Sequence, residues 1–265
     1  MKKIISILIL FVSCYFIYNL TIDNEIYYLT LGDGLAKGIN SDGKISLLNY
    51  SKNIQEYLEE KNKLEGFNNS FVDKDYRITD ILKIIKYKEV ITVDNNEMSI
   101  HELLKKADVI TISVGMNELY YKLKVDNNNI YQYIEGMLND MDNLLKEVDR
   151  YNHKKVIVLG YYNTTNTNKD IFNYINYKLE KIVINRGFDY INLDKSFDND
   201  VRYFENNNNF YPNDLGYSKI SQIIVEKIKN YWYNITRIYI SMTFVMAEGE
   251  IKWKQIFIQI MLKLL

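Results

Sequence analysis

The 265-residue sequence holds one cysteine, one proline and two histidines. A single thiol, Cys14, excludes an internal disulfide and any cysteine-based metal site. Two histidines, His101 and His153, leave little choice for chemistry that needs an imidazole base. An excess of one charge is also missing: 33 basic residues against 34 acidic ones give a formal net charge of −1. That balance makes no electrostatic case for nucleic acid, and none is expected as a partner. The lone proline belongs to a wider bias toward Tyr, Asn, Lys and Ile. An A/T-rich coding sequence produces that bias, so no function is read from it.

What remains is ordinary for a globular protein, with 47% apolar and 25% charged residues. The length suits one domain with a sizeable core and is short for two large ones. The amino terminus stands apart. Lys2 and Lys3 precede an apolar run from Ile4 to Leu20, and Asp23 and Glu25 follow. A basic flank, a hydrophobic stretch and an acidic exit read as an export signal with the rest of the chain outside. The run of about 17 residues sits at the short limit of a spanning helix, so residues 1–21 read first as an uncleaved signal anchor in the cell membrane. Val12-Ser13-Cys14 has the small residue that lipid attachment at Cys14 wants, although Phe11 stands at the usual Leu position. Cleaved secretion is the third fate. Each places the folded part extracytoplasmically.

Beyond the signal, strands alternate with helices. Tyr27–Leu31 is a continuous apolar run, as a buried parallel strand requires. Ser46–Lys61 reads as a helix with Leu48, Ile54, Tyr57 and Leu58 on one side, and Ser70–Val72 as a weak second strand. Ile78–Lys86 is a short helix opened by Thr79 and Asp80. Val90–Val93 and Met98–Ile100 flank Asp94-Asn95-Asn96-Glu97, a hairpin signal. Glu102–Lys106 is helical, Asp108–Val114 is a buried strand, and Ile130–Arg150 is a long amphipathic helix. Lys155–Gly160, Lys169–Asn185 and Asp189–Leu193 continue as strand, helix and strand, and Leu215–Trp232 closes with a helix. This alternation predicts an α/β protein with a parallel sheet and helices on both faces. Ligands of such sheets bind at the carboxyl ends of the strands, where strand order reverses. From Thr236 to Leu265 the composition changes: Arg237–Met246 is β-like, and Ile251–Leu265 is apolar with Lys252, Lys254 and Lys263. This 236–265 tail is given no role. Docking on the domain, lying on a membrane surface and accidental extension of the reading frame all fit it.

Four blocks in the α/β portion bear on chemistry. Leu29-Thr30-Leu31-Gly32-Asp33-Gly34-Leu35 follows the first strand. Lys74-Asp75-Tyr76-Arg77-Ile78-Thr79-Asp80 comes next. Ile112-Ser113-Val114-Gly115-Met116-Asn117-Glu118-Leu119 follows a later strand, and Tyr211-Pro212-Asn213-Asp214-Leu215-Gly216-Tyr217 precedes the last helix. Together they resemble the SGNH hydrolases, also called GDSL esterases and lipases. The resemblance covers roughly Ile26 to Trp232 and assigns a domain to residues 26–234. It implies a three-layer, flavodoxin-like fold and a serine ester hydrolase. The first block is similar to the family's Gly-Asp-Ser-Leu turn, which carries the nucleophile. The second is similar to a segment whose Gly donates an N–H to the oxyanion. The third is similar to Gly-x-Asn-Asp, whose Asn feeds the oxyanion hole. The fourth is similar to Asp-x-x-His-Pro-Asn-x-x-Gly-Tyr, which supplies the acid and the base.

That chemistry needs a serine activated by a histidine, with a carboxylate orienting the ring and N–H donors receiving the oxyanion. The resemblance places Gly34 at the serine position, Tyr211 at the histidine position and Asn208 at the acid position. It places Asp75 at the oxyanion glycine and keeps Asn117. Gly32, Asp33, Gly115 and Pro212 remain as residues that shape the site. Asp33 is expected to hold the turn by accepting backbone N–H groups. A tyrosine, whose ordinary pKa is about 10, is a poor general base at neutral pH. Asp75 would repel a developing oxyanion. Convergence of Asp75, Asp33 and Asn117 would offer oxygen ligands to a cation, but no metal and no cofactor are assigned. Ser41 reads as a turn residue, Ser113 as core, and His101 and His153 as solvated or helix-capping.

Two functions from different classes follow. The first is an exported protein of this family, catalytically degenerate, that binds a glycan, an acyl group or a protein at the old esterase site. The second is an active esterase or O-acetyl hydrolase of envelope material with a non-standard nucleophile. The joint loss of serine, histidine and acid favours the first. A decaying gene product is the blander third option.

Overall fold

The computed structural model describes residues 25–93, 96–125, 128–164, 167–198, 200–205 and 210–247, with only the backbone of Val93, Asn96 and residues 231–247. The signal region 1–21, Asn208 and the end of the tail from residue 248 lie outside the described residues. Contacts divide the chain into Ile26–Val225 and a second unit of Met1–Glu25 with Glu226–Leu265.

Strand β1 (Ile26–Gly32) is buried at every position, which fits a parallel strand covered on both faces. It turns directly into α1 (Gly34–Lys37). The chain then forms α2 (Tyr50–Glu60), β2 (Leu64–Asn68), α3 (Ile78–Lys86) and an antiparallel hairpin of β3 (Val90–Val93) and β4 (Asn96–Ser99). Helix α4 (Ile100–Lys106) leads to β5 (Val109–Ser113), α5 (Met116–Val125) and α6 (Ile130–Tyr151). Next come β6 (Lys155–Leu159), α7 (Lys169–Asn185), β7 (Asp189–Ile191) and α8 (Leu193–Phe197). A 3-10 turn at Val201–Tyr203 precedes α9 (Asp214–Ala247).

Five parallel strands form one sheet in the order β2-β1-β5-β6-β7. The chain leaves β1 toward one edge and returns to β5 on the other side. The carboxyl ends of β1 and β5 therefore flank the switch point, where an α/β sheet opens a crevice. The α/β expectation holds, with a parallel sheet between helices.

Periodicity explains the helical layer. In α6, Ile130, Ile134, Met137, Leu138, Met141, Leu144, Leu145 and Val148 are buried, a stripe at three- and four-residue spacing. This stripe packs against α3, α4 and α7. Each fully buried Leu or Ile contributes about 1.5–3 kcal/mol. Elsewhere Asn53 of α2 donates its amide to Ser221 of α9 at 3.3 Å. Capping sets the helix starts. Asn49 accepts the Lys52 N–H at 2.9 Å, so α2 begins at Tyr50 rather than at Ser46. Ser99 and Glu102 form a capping box that starts α4 at Ile100.

Two expected strands are corrected. The second strand is Leu64–Asn68, not Ser70–Val72, and Val72 contributes only an isolated bridge to Gly32. The segment Leu-Glu-Gly-Phe-Asn lacks an apolar run, because an edge strand leaves part of its surface in solvent. The β-like reading of Arg237–Met246 fails as well, since α9 runs on to Ala247. After Gly216 no glycine or proline interrupts it, so nothing local stops the helix.

Candidate functional site

The site begins where β1 ends. A β-carbon on Gly32 would overlap the Ser113 carbonyl and stand 2.6 Å from Ala36 Cβ, so only glycine lets the two strand ends approach. Asp33 follows, fully buried. Its N–H donates to the Ser113 carbonyl at 2.9 Å. Its Oδ1 accepts the Leu35 N–H at 3.1 Å, and its Oδ2 accepts the N–H groups of Gly115 at 3.0 Å and Met116 at 3.2 Å. The Asn117 N–H also points at this carboxyl. Gly115 itself has φ +100, a conformation that favours glycine. One buried carboxyl thus joins the turn after β1 to the turn after β5. Burial pushes it up to about 7, and the backbone donors oppose that rise.

The last block meets this turn from above. Phe210 lies between Tyr120 and Tyr211, with ring centroids 4.5 Å and 4.3 Å away. The Phe210 carbonyl accepts the Tyr162 hydroxyl at 2.8 Å. Pro212 is buried behind them. So held, Tyr211 donates its hydroxyl to Asn117 Oδ1 at 2.6 Å. The same hydroxyl covers Gly34. A β-carbon on Gly34 would overlap it and stand 2.6 Å from Cζ and 2.8 Å from Cε1 of the ring. Burial, and then the neighbouring Asp33, hold the phenol above its ordinary pKa.

No protein-family model matches the chain, and no curated protein matches it. Solved structures do match. A lipase from a goat rumen metagenome is 19% identical with a TM-score of 0.63, over 76% of this chain and 96% of that one. A catalytic mutant of an acetylxylan esterase from Geobacillus stearothermophilus is 12% identical with a TM-score of 0.59, over 80% and 98%. An α/β hydrolase from the metagenome of Lake Arreo, Spain, is 12% identical with a TM-score of 0.56, over 78% and 96%. The chain has an SGNH/GDSL-like esterase fold.

Within that SGNH fold, Gly34, Asn117 and Tyr211 come together at the strand ends, and Asp33 lies beneath them. Asn208 lies outside the described residues. Asp75 sits in the loop before α3, its side chain 81% exposed beside Lys74 at 3.9 Å. Its N–H is taken by Asp73 Oδ1 at 3.0 Å. Asn117 Nδ2 donates to the Lys74 carbonyl. The Asp75 N–H and one N–H of Asn117 Nδ2 are thus engaged within the protein.

The other candidate groups lie elsewhere. Ser41 donates to Glu205 across a surface loop. Ser113 is buried and shares a hydrogen bond with Tyr50 at 2.9 Å. His101 stacks on Tyr151 at 4.0 Å and donates Nε2 to the Ile85 carbonyl at 2.7 Å, so it caps α3. His153 is exposed at the amino end of β6, 3.8 Å from Asp149. Among the described residues, no group of three or more His, Cys, Asp and Glu side chains is placed to hold a metal ion. Among them, too, no helix is long and apolar enough to cross a membrane, and Ile4–Leu20 is not among them.

Sequence reasoning missed the residues that fix Tyr211. Phe210, Tyr120 and Tyr162 set its position, and Asp73 takes the Asp75 N–H. The aromatic pair Phe210-Tyr211 was one available signal, and the Asp73-x-Asp75 spacing of an Asx turn was another.

Proposed function

We propose that this chain is a catalytically degenerate protein of the SGNH esterase fold. It is exported, held at the membrane by residues 1–21, and binds a ligand at the former esterase site. The ligand is a glycan, an acyl group or a protein of the cell envelope. One observation carries the reading: the Tyr211 hydroxyl fills the space into which a nucleophile at position 34 would extend. A phenol held above its ordinary pKa does not deprotonate a nucleophile at neutral pH. Ser41, His101 and His153 are each engaged away from this point. The hydrolase resemblance of the fold carries no activity without these groups, because function rests on the site rather than on the fold.

The full chain, purified in detergent, should hydrolyse p-nitrophenyl acetate no faster than a heat-denatured sample. Turnover well above that control, abolished by Ser41→Ala or by Tyr211→Phe, would sink the reading. Membrane attachment has its own measurement, the intact mass of the protein recovered from the membrane fraction. Retention of residues 1–21, or a lipid on Cys14, supports an anchor, and recovery of a shortened chain only in the medium opposes it.

A further inference from the structure

Helix α9 outgrows the unit in which it starts: that unit closes at Val225, and the helix runs on to Ala247. Its start lies on the carboxyl side of the sheet. There Ser46 Oγ donates to Asp214 at 2.5 Å, and Tyr217 donates to the Ile39 carbonyl at 2.7 Å. It runs back beside α2, where Asn53 meets Ser221. Because α2 leads to the amino end of β2, α9 heads for the amino edge of the sheet. β1 begins at that same edge, where Ile26 pairs with Leu64. Both ends of the Ile26–Val225 unit therefore open on one side.

Residues 231–247 keep a helical backbone and include a single charged residue, Arg237. Tyr231, Ile235, Ile238, Met242 and Val245 recur at four- and three-residue spacing, which places them in one row along the helix. Asn234, Thr236, Arg237, Ser241 and Thr243 fall outside that row. An apolar row of this kind calls for a cover. Lipid alone is a poor one, since no helix among the described residues is long and apolar enough to cross a membrane.

The rest of the second unit names a better cover. Contacts join Glu226–Leu265 with Met1–Glu25, the segment that holds the apolar run from Ile4 to Leu20. The lengths match: that run and residues 231–247 each hold about 17 residues, or about 25 Å of helix. Leu20 stands six residues before Ile26, so at most about 20 Å of extended chain separates the run from the amino edge of β1. The run leads toward that edge and α9 leads away from it, which makes the two antiparallel.

We propose that residues 4–20 form a helix that packs antiparallel along the apolar row of α9. The anchor is then a pair of helices, and the chain after Thr236 gains a role as its second member. The inference rests on the retention of residues 1–21 in the reading above. It is independent of what the Gly34 site binds.

Cys14 is the only thiol, so a second one reports on what lies beside it. The full chain is purified in detergent with one added cysteine. Ile235→Cys, Ile238→Cys and Met242→Cys lie in the row, and Thr236→Cys, Arg237→Cys and Ile240→Cys lie off it. Each dilute sample is oxidised with diamide and read by non-reducing electrophoresis, peptide mass and intact mass. A disulfide needs Cα atoms within about 7 Å, which facing residues of a packed helix pair reach. The expected result is an intrachain disulfide from Cys14 to at least one row cysteine in most chains, and little from the three others. Intact chains that form no such disulfide, or form it equally from both sets, overturn the pairing and leave the membrane anchor standing. A disulfide between two chains overturns it in favour of a second copy. A chain that begins at a lipid-modified Cys14 overturns the pairing, and one that lacks residues 1–21 overturns both readings.

Discussion

The hydroxyl of Tyr211 and a β-carbon on Gly34 claim the same space. The two positions are therefore coupled. Glycine at 34 is what allows a tyrosine at 211 to reach Asn117 at 2.6 Å. Restoring serine alone should not restore activity. Gly34→Ser should cost about 1–3 kcal/mol through overpacking, read as a lower urea midpoint. Adding Tyr211→Ala should recover part of that loss. The two changes should be non-additive, as contacting residues are. Additive effects would show that the phenol is free to swing away.

Asp33→Asn should destabilise the fold strongly. The carboxyl accepts backbone N–H groups from both turns. An amide replaces one acceptor oxygen by a donor, which faces N–H groups that have no other partner. Each unsatisfied group costs about 1–3 kcal/mol. Urea denaturation measures this directly, and an unchanged midpoint would remove Asp33 from its joining role.

Asp33 also predicts a pH dependence. Burial lifts its pKa from the ordinary 3.8 to about 7. Between those values the folded chain binds more protons at this group than the unfolded chain does. Stability from this group is thus fully present below about pH 4 and falls as pH rises toward about 7, by a few kcal/mol. Denaturation midpoints measured from pH 4 to pH 8 should show the decline in the native chain and lack it in Asp33→Asn.

Four substitutions together should do what one cannot. Gly34→Ser, Asp75→Gly, Asn208→Asp and Tyr211→His supply each group that the resemblance calls for at these positions. Turnover of p-nitrophenyl acetate should rise above that of the native chain. The triple variant that keeps Tyr211 should stay at the native level, because the phenol still fills the nucleophile's space. Equal activity in the triple and quadruple variants would contradict the packing at Gly34.

Much of this was legible in the sequence, for physical reasons. β1 and β5 are buried on both faces, so each appears as a mostly apolar run. Pro212 and Gly216 mark the last block, through which the resemblance singles out Tyr211. β2 was missed because an edge strand draws its pairing from β1, and its own residues need not be apolar. The β-like end of α9 was misread because local composition favoured a strand where an established helix simply continues. The meeting of Tyr211 with Gly34 has no local signature. It arises from the switch in strand order, which brings distant segments to one crevice.

The carboxyl of Asp33 grips main-chain N–H groups rather than side chains. Substitutions at 116 or 117 can alter what the neighbouring turn displays, but they leave in place the peptide groups that Asp33 holds. Such an attachment is indifferent to drift in its surroundings. The cradle can therefore outlive its chemistry, and it stays available for any later set of side chains to occupy.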